Sequence, residues 1–254
     1  MILAIDIGNT NIVVGLLEGP KILNSARVAT DKNKTEIDFI IQLQHILEIF
    51  KVNKDNIEGS ILSSVVPEVT NQVLTALKLY LNKKIHVVGP GIKTGLSIKI
   101  DNPQSLGADR VCDAVCVIEE YKTPAIIIDM GTATTISVID RNNNHVGGMI
   151  IPGIKTSLNS LSAAASQLPF ISLDAPKSLI GKNTIDCMKS GIIYGNAALI
   201  DGLVDRIKEE MKEDFIIIAT GGYSKLIIEH SKHKMIYDKD LLLKGLYYIY
   251  KKNS

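Results

Sequence analysis

One pattern is written twice in this chain, and it restricts the possible folds more than any other feature. Near the start, Ile2-Leu3-Ala4-Ile5 leads into Asp6-Ile7-Gly8-Asn9-Thr10-Asn11; later, Ala125-Ile126-Ile127-Ile128 leads into Asp129-Met130-Gly131-Thr132-Ala133-Thr134-Thr135. Each copy is a short apolar run, largely β-branched, of the kind that fills a central strand. Each run ends in Asp, one intervening residue and Gly. Each then returns to apolar residues, Ile12 to Val14 in the first copy and Ile136, Val138 and Ile139 in the second. The glycine lets the backbone reverse tightly and bring its N–H groups up to an anion, and a carboxylate beside the bend can hold a cation. A single copy reads equally well as an ordinary tight hairpin. Two copies opening two similar halves, Asp6 matched to Asp129 and Gly8 to Gly131, do not. Two such bends facing each other across a cleft would grip one polyphosphate and its metal from both sides.

Bulk properties exclude several other classes. At 254 residues, 46% apolar and 22% charged, the chain can build one large or two small globular domains, each with its own core. The net charge of +1 offers no bulk basic field for nucleic acid or an acidic membrane surface. No apolar run approaches the roughly 20 residues of a membrane span. The first apolar run has no basic leader and is interrupted by Asp6, so it does not read as a signal peptide. Three cysteines, an odd number, suit free thiols in a reducing cytoplasm. Cys112 and Cys116 share a helix face but have no His or Cys cluster near them, which points to buried thiols rather than a metal pair.

The rest of the chain alternates helix and strand. Asn24 to Thr30 reads as a strand, Thr35 to Phe50 as an amphipathic helix, and Gly59 to Val66 as a strand. Pro67 suits the first turn of a helix to about Leu81, and Lys84 to Val88 makes another strand. Gly89-Pro90-Gly91-Ile92-Lys93-Thr94-Gly95 imitates a phosphate-binding P-loop, but that motif needs Gly directly before the Lys, and Ile92 stands there. The segment reads as a glycine-rich connector. Leu96 to Ile100 alternates like a strand, Asp101 to Ser105 has turn chemistry, and Gly107-Ala108-Asp109-Arg110 opens a helix. Asp109 falls in its first turn, where the helix dipole favours a carboxylate, and Asp113 shares its face one turn on. After the second hairpin, His145 to Gly153 is expected to be a glycine-rich lead into a helix that stops at Pro169. Thr184 is expected to cap a long helix to about Met211, carrying Gly191 and Gly195 as a close-packing surface. Phe215 to Thr220 reads as a buried strand ending in Gly221-Gly222. A last apolar helix over Asp240 to Tyr250 is expected to close the second half. The predicted fold is α/β with mixed sheets flanked by helices, and the predicted domains are residues 1–121 and 122–254.

The repeated bend resembles the phosphate loops of the actin-like, sugar-kinase superfamily, and so implies duplicated actin-like ATPase (ribonuclease H-like) domains. Asp6-Ile-Gly-Asn-Thr, Gly107-Ala-Asp-Arg, Asp129-Met-Gly-Thr-Ala-Thr-Thr and Gly147-Gly-Met-Ile-Ile-Pro-Gly together make the chain similar to type III pantothenate kinases over nearly its whole length. That resemblance implies ATP-dependent phosphorylation of pantothenate to 4′-phosphopantothenate, the opening step of coenzyme A synthesis. It further implies a homodimer that uses Mg²⁺ and a monovalent cation, K⁺ or NH₄⁺; the expectation of a cytoplasmic protein that binds neither nucleic acid nor membrane comes from the charge, hydropathy and cysteine count above.

Site roles follow from the same resemblance. Asp6, Ile7, Gly8, Asn9, Thr10, Asn11, Ile12 and Val13 correspond to the first ATP-phosphate loop, with Asp6 directed at Mg²⁺. Gly131 and Thr132 correspond to the second loop, with Asp129 on the monovalent cation, and Gly221-Gly222 to the segment beneath adenosine. Asp109 matches the catalytic base, and Gly107, Ala108, Asp109 and Arg110 the pantothenate-binding segment. Thr184 matches a further substrate contact reached across the dimer interface. Ile100 stands where many relatives carry a tyrosine, so a substrate hydrogen bond is missing at that position. Sugar and acetate kinases and phosphohydrolases share both phosphate loops, but the Gly-Ala-Asp-Arg segment argues against them. A regulatory accessory protein is the rival from another class, disfavoured as a direct DNA binder by the neutral charge.

Overall fold

A computed structural model describes all residues, 1–254. Its elements in order are β1 (Ile2–Ile7), β2 (Asn11–Glu18), β3 (Lys21–Ala29), α1 (Glu36–Phe50), β4 (Gly59–Ser64), α2 (Pro67–Leu81), β5 (Lys84–Val87), the two-residue β6 (Ser97–Ile98) and α3 (Ala108–Glu120). There follow β7 (Ala125–Met130), β8 (Ala133–Ile139), β9 (Asn144–Pro152), α4 (Ile154–Ala164), α5 (Thr184–Met211), β10 (Ile216–Thr220), α6 (Ser224–Ile228), β11 (Ile236–Tyr237) and α7 (Leu241–Asn253). By internal packing these form two units, Met1–Tyr121 with Asp240–Ser254, and Lys122–Lys239.

Each unit carries the same sheet. In the first the order is β3-β2-β1-β4-β5, with β1, β2 and β3 antiparallel and β4 and β5 parallel to β1. In the second, β9-β8-β7-β10-β11 repeats both the order and the senses. Burial repeats too: in β1 only Asp6, and in β7 only Asp129, is not fully buried, each at the fifth position. The neighbouring parallel strand sets a hydroxyl opposite each carboxylate, Ser63 beside Asp6 and Thr220 beside Asp129.

Strand alternation decides which way those carboxylates face. In the first unit Leu3, Ile5 and Ile7 pack with Phe39, Leu43, Val73 and Leu77 of α1 and α2. Ile2 and Ala4 pack instead with Val111 and Val115 of α3 and Leu243, Leu246 and Ile249 of α7. Side chains two apart share a face, so Asp6 lies on the α3 side of its sheet. In the second unit Ile126, Ile128 and Met130 pack with α4, α5 and α6, which places Asp129 on the opposite face. Local chemistry fixes the helix starts: Thr35 and Asp38 form a reciprocal capping box for α1, and Pro67 begins α2.

Four expectations need correction. The last helix, α7, does not close the second half; it packs in the first unit, where an added Cβ on Gly245 would overlap the carbonyl of Cys112 in α3. His145 to Pro152 lies in strand β9, paired antiparallel to β8, rather than in a lead-in turn. The cap of α5 is Asn183, whose side chain accepts the Asp186 N–H at 2.9 Å, and Thr184 is the first helical residue. Helix α4 stops at Ala164, before Pro169.

Candidate active site

The first bend is held from three sides. Gly8 N–H donates to the Asn11 carbonyl (3.0 Å), Thr30 N–H to the Thr10 carbonyl (3.0 Å), and Val65 N–H to the Ile7 carbonyl (3.1 Å). The Thr30 hydroxyl donates to the Gly8 carbonyl at 2.6 Å. Ile7 and Ile12 anchor the bend in the core, Asp6, Gly8, Asn11 and Val13 are half-buried, and Asn9 and Thr10 are exposed. A rigid turn with an exposed amide, an exposed hydroxyl and a half-buried carboxylate is suited to polar oxygens and a cation. Thr30 was not legible beforehand, because a threonine just past the end of an edge strand carries no motif.

Helix α3 brings the next group to the same face of the sheet. Gly107 is its N-cap, and a Cβ there would collide with the Asp109 carboxylate, which folds back over it. Asp109 Oδ1 accepts the Arg110 N–H at 2.8 Å, while the carboxyl remains part-exposed. Arg110 is half-buried; burial lowers its pKa, and the charges of Asp109 and Asp113 push it back up. Asp113 is only 3% exposed, so it is no peripheral copy of Asp109. The Cys112 thiol registers the whole cluster: burial raises its pKa well above the ordinary value, and Asp6, Asp113 and Asp109 push the same way. Asp6 therefore lies on the α3 face of its sheet, and its charge and that of Asp109 both act on Cys112. Ile100 and Ala108 are half-buried on the apolar cluster of α3 and α7, and Ile100 offers only hydrocarbon.

The second unit builds a matching bend. Gly131 N–H donates to the Ala133 carbonyl at 3.1 Å, and Thr132 is exposed. The bend rests on the start of α4: Thr156 Oγ1 donates to the Thr132 carbonyl at 2.8 Å, and a Cβ on Gly153 would overlap the carbonyls of Gly131 and Thr132. Gly221, with φ of +94°, passes so close to Asp129 that a Cβ would strike its Oδ1 and the Met130 backbone. Gly153 and Thr156 support the bend and Gly221 packs its backbone against the half-buried Asp129 carboxylate; carboxylate and carbonyl oxygens are the donors that a hard cation takes beside phosphate oxygens. Gly153 and Thr156 were missed as site supports; the Pro-Gly step at the strand-to-helix junction was the available signal. Thr184 stands apart from this bend, exposed at the first turn of α5, beside a groove lined by Leu161, Leu168, Lys182, Asn183 and Met188.

Two copies of one mixed sheet, each with an Asp-x-Gly bend in its first hairpin, define a duplicated kinase fold of the actin-like, sugar-kinase class. Solved structures agree on the fold. A Campylobacter jejuni protein described as of the Baf family of transcriptional activators superposes with a TM-score of 0.62 at 22% identity, covering 99% of this chain and 98% of that one. A ROK hexokinase of Thermus thermophilus gives 0.53 at 10% identity, covering 100% and 99%. Sequence is more specific. Residues 2–206 match the family model of type III pantothenate kinase. The type III pantothenate kinase of Bacillus cytotoxicus is 44% identical over 254 residues, all of this chain and 97% of that protein. The chain belongs to the type III pantothenate kinase family.

Proposed function

We infer that this protein transfers the γ-phosphoryl group of ATP to the primary hydroxyl of pantothenate, giving 4′-phosphopantothenate and ADP in the first step of coenzyme A synthesis. The observation that carries the reading, beyond family membership, is that α3, which opens with Asp109 and Arg110, packs on the face of the first sheet that carries Asp6 beside the first bend. Phosphoryl transfer needs in-line positioning, charge neutralisation and an acceptor for the hydroxyl proton. Asp109 takes that proton as the hydroxyl oxygen bonds to phosphorus and the bond to the β-phosphate oxygen breaks. Arg110 stays charged and pairs with the pantothenate carboxylate through parallel N–H donors. Backbone N–H groups of Asn9 and Thr10 and the Thr10 hydroxyl hold phosphate oxygens in the turn closed by Gly8, and the Thr132 N–H and hydroxyl offer the same groups in the turn closed by Gly131. A divalent cation at Asp6, when bound, supplies charge neutralisation on those oxygens.

Three finer readings belong to the same inference. Asp129 holds a monovalent cation, K⁺ or NH₄⁺, beside the second bend. The protein works as a homodimer, with Thr184 serving the acceptor site of the other copy. It resides in the cytoplasm, where its three free thiols stay reduced; no helix is long and apolar enough to cross a membrane.

A coupled ADP-release assay tests the reading. Pantothenate should drive ADP release, while glycerol, acetate and no acceptor should give the same low background. ADP release with glycerol or acetate equal to that with pantothenate would overturn the substrate assignment. In the same assay, replacing K⁺ by Na⁺ or Li⁺ should cut turnover strongly; equal rates in all three salts remove the monovalent cation from Asp129.

A further inference from the structure

The Gly89 to Gly95 connector looks like a phosphate loop and is not one, yet it is tied down by a side chain from the far end of the chain. Asn253, in the last turn of α7, closes a two-way clamp on Lys93: its Oδ1 accepts the Lys93 N–H at 3.1 Å and its Nδ2 donates to the Lys93 carbonyl at 2.8 Å. The same Nδ2 donates to the Ile249 carbonyl one turn back, also at 2.8 Å, which fixes the amide's orientation. A carboxamide has both a donor and an acceptor, so Asn253 gives Lys93 the pair of bonds a neighbouring strand would give. The connector needs this support. Gly91 and Gly95 sit at φ of +91° and +76°, and no regular element spans the loop.

What the clamp positions lies just downstream. Leu96, Ile98 and Ile100 pack on the apolar cluster that joins Leu243, Leu246 and Ile249 of α7 to Val111, Cys112 and Val115 of α3, with Ala108 at its edge. Helix α7 is separately locked to α3. Gly245 meets the Cys112 backbone, Glu120 accepts from Lys244 at 2.9 Å and from Tyr248 at 3.0 Å, and Lys252 pairs with Glu119 at 2.7 Å. One helix thus holds both the entry to Ile100 and the helix that presents Asp109 and Arg110. Loss of the Asn253 amide loosens the first, which keeps only its apolar packing, without unlocking the second.

We propose that Asn253 is a positioning residue for the acceptor pocket, setting the path of residues 93–100 and with it the wall at Ile100. The proposal rests on the reading of Ile100 and Gly107 to Arg110 as the pantothenate-binding segment. Because the first phosphate bend is held by Thr30, Val65 and Asn11 and not by the connector, the effect falls on the acceptor and not on ATP.

The test is steady-state kinetics with pantothenate and ATP varied separately, for the unaltered protein, Asn253→Ala and the isosteric Asn253→Asp. Both variants should raise the KM for pantothenate about 3- to 10-fold, leave the KM for ATP within about twofold, and change kcat little, the signature of lost ground-state positioning. Asn253→Asp keeps the shape but sets a carboxylate oxygen against the Lys93 carbonyl, so it should resemble Asn253→Ala. Hydrogen exchange at the Lys93 amide should quicken in both variants while the amides of β1 stay protected. An unmoved pantothenate KM, or equal rises for both substrates, overturns the proposal. So does Lys93 exchange that is already fast in the unaltered protein, a readout that needs no activity. If the unaltered protein showed no pantothenate-dependent ADP release while the exchange result held, the clamp would stand and the assignment of the pocket to pantothenate would fall.

Discussion

At the scale of single residues, two carboxylates one helical turn apart have been given different surroundings. Asp109 is part-exposed, holds only the Arg110 N–H among its backbone partners, and lies over a glycine that leaves room for it. Asp113 is buried, and its charge acts on Arg110 and on Cys112. If Asp109 served only the helix N-terminus, Asp109→Asn would cost at most about 1 kcal/mol of stability and leave turnover nearly intact. As the base it is irreplaceable by an amide, which keeps the shape and cannot accept the hydroxyl proton. General-base contributions run to about 10²- to 10⁴-fold, so kcat for Asp109→Asn should fall by at least about 10², while calorimetry shows ATP binding unchanged. More than about a tenth of the turnover surviving would reduce Gly107 to Arg110 to a binding segment. From the sequence, Asp113 is the internal control for this experiment, with Asp113→Asn expected to be much milder. Its burial beside Arg110 alters that: Asp113→Asn weakens the charge balance around the guanidinium and should raise the pantothenate KM, with kcat much less affected than in Asp109→Asn.

At the scale of elements, what was legible is what the local chain dictates. β1 and β7 were readable because four apolar residues run into Asp-x-Gly. α1 and α2 were readable because the Thr35–Asp38 box and Pro67 mark their starts. β9 was hidden because Gly147, Gly148 and Pro152 are poor strand formers, and pairing with β8 overrides them; Gly147 takes φ of +149° next to the register shift at Val138. The two-residue β11 has no periodicity to read. The partner of α7 was illegible for a different reason: an apolar stripe says that a helix is packed, never against what. The residue that fixes the address is Gly245, whose contact with Cys112 spans just over half the chain. Gly245→Ala should therefore act as overpacking, since the added methyl has backbone on the other side and no flexible neighbour to displace. Such changes cost about 1–3 kcal/mol, which should show as a lower urea midpoint with an unchanged m-value. An unchanged midpoint would mean that α7 is not held against α3 as described.

At the scale of the whole molecule, the internal repeat was the most legible property, since both copies of the bend reappear with the same strand order, senses and burial. Assembly was legible only as a hint, because a surface meant for another copy differs from ordinary surface by what it fails to touch. In the second unit, a Cβ added at Gly191, Gly195 or Gly202 of α5 would meet nothing within 4 Å, so the fold of one chain gives no reason for glycine at any of them. Along the same helix Ile185 and Leu199 are 47% and 41% exposed, and Leu161 of α4 is 42% exposed. Small residues that let backbones approach, flanked by uncovered aliphatic side chains, suit a self-complementary two-fold contact. The proposed homodimer should give about 55 kDa by light scattering at micromolar concentration, twice the chain mass of 27.7 kDa. Leu199→Glu places a charge on the face from both copies and should return the species to the mass of one chain. If Thr184 serves the acceptor site of the other copy, that monomer should also lose affinity for pantothenate while still binding ATP. A single-chain mass for the unaltered protein would remove the dimer, and with it the role given to Thr184.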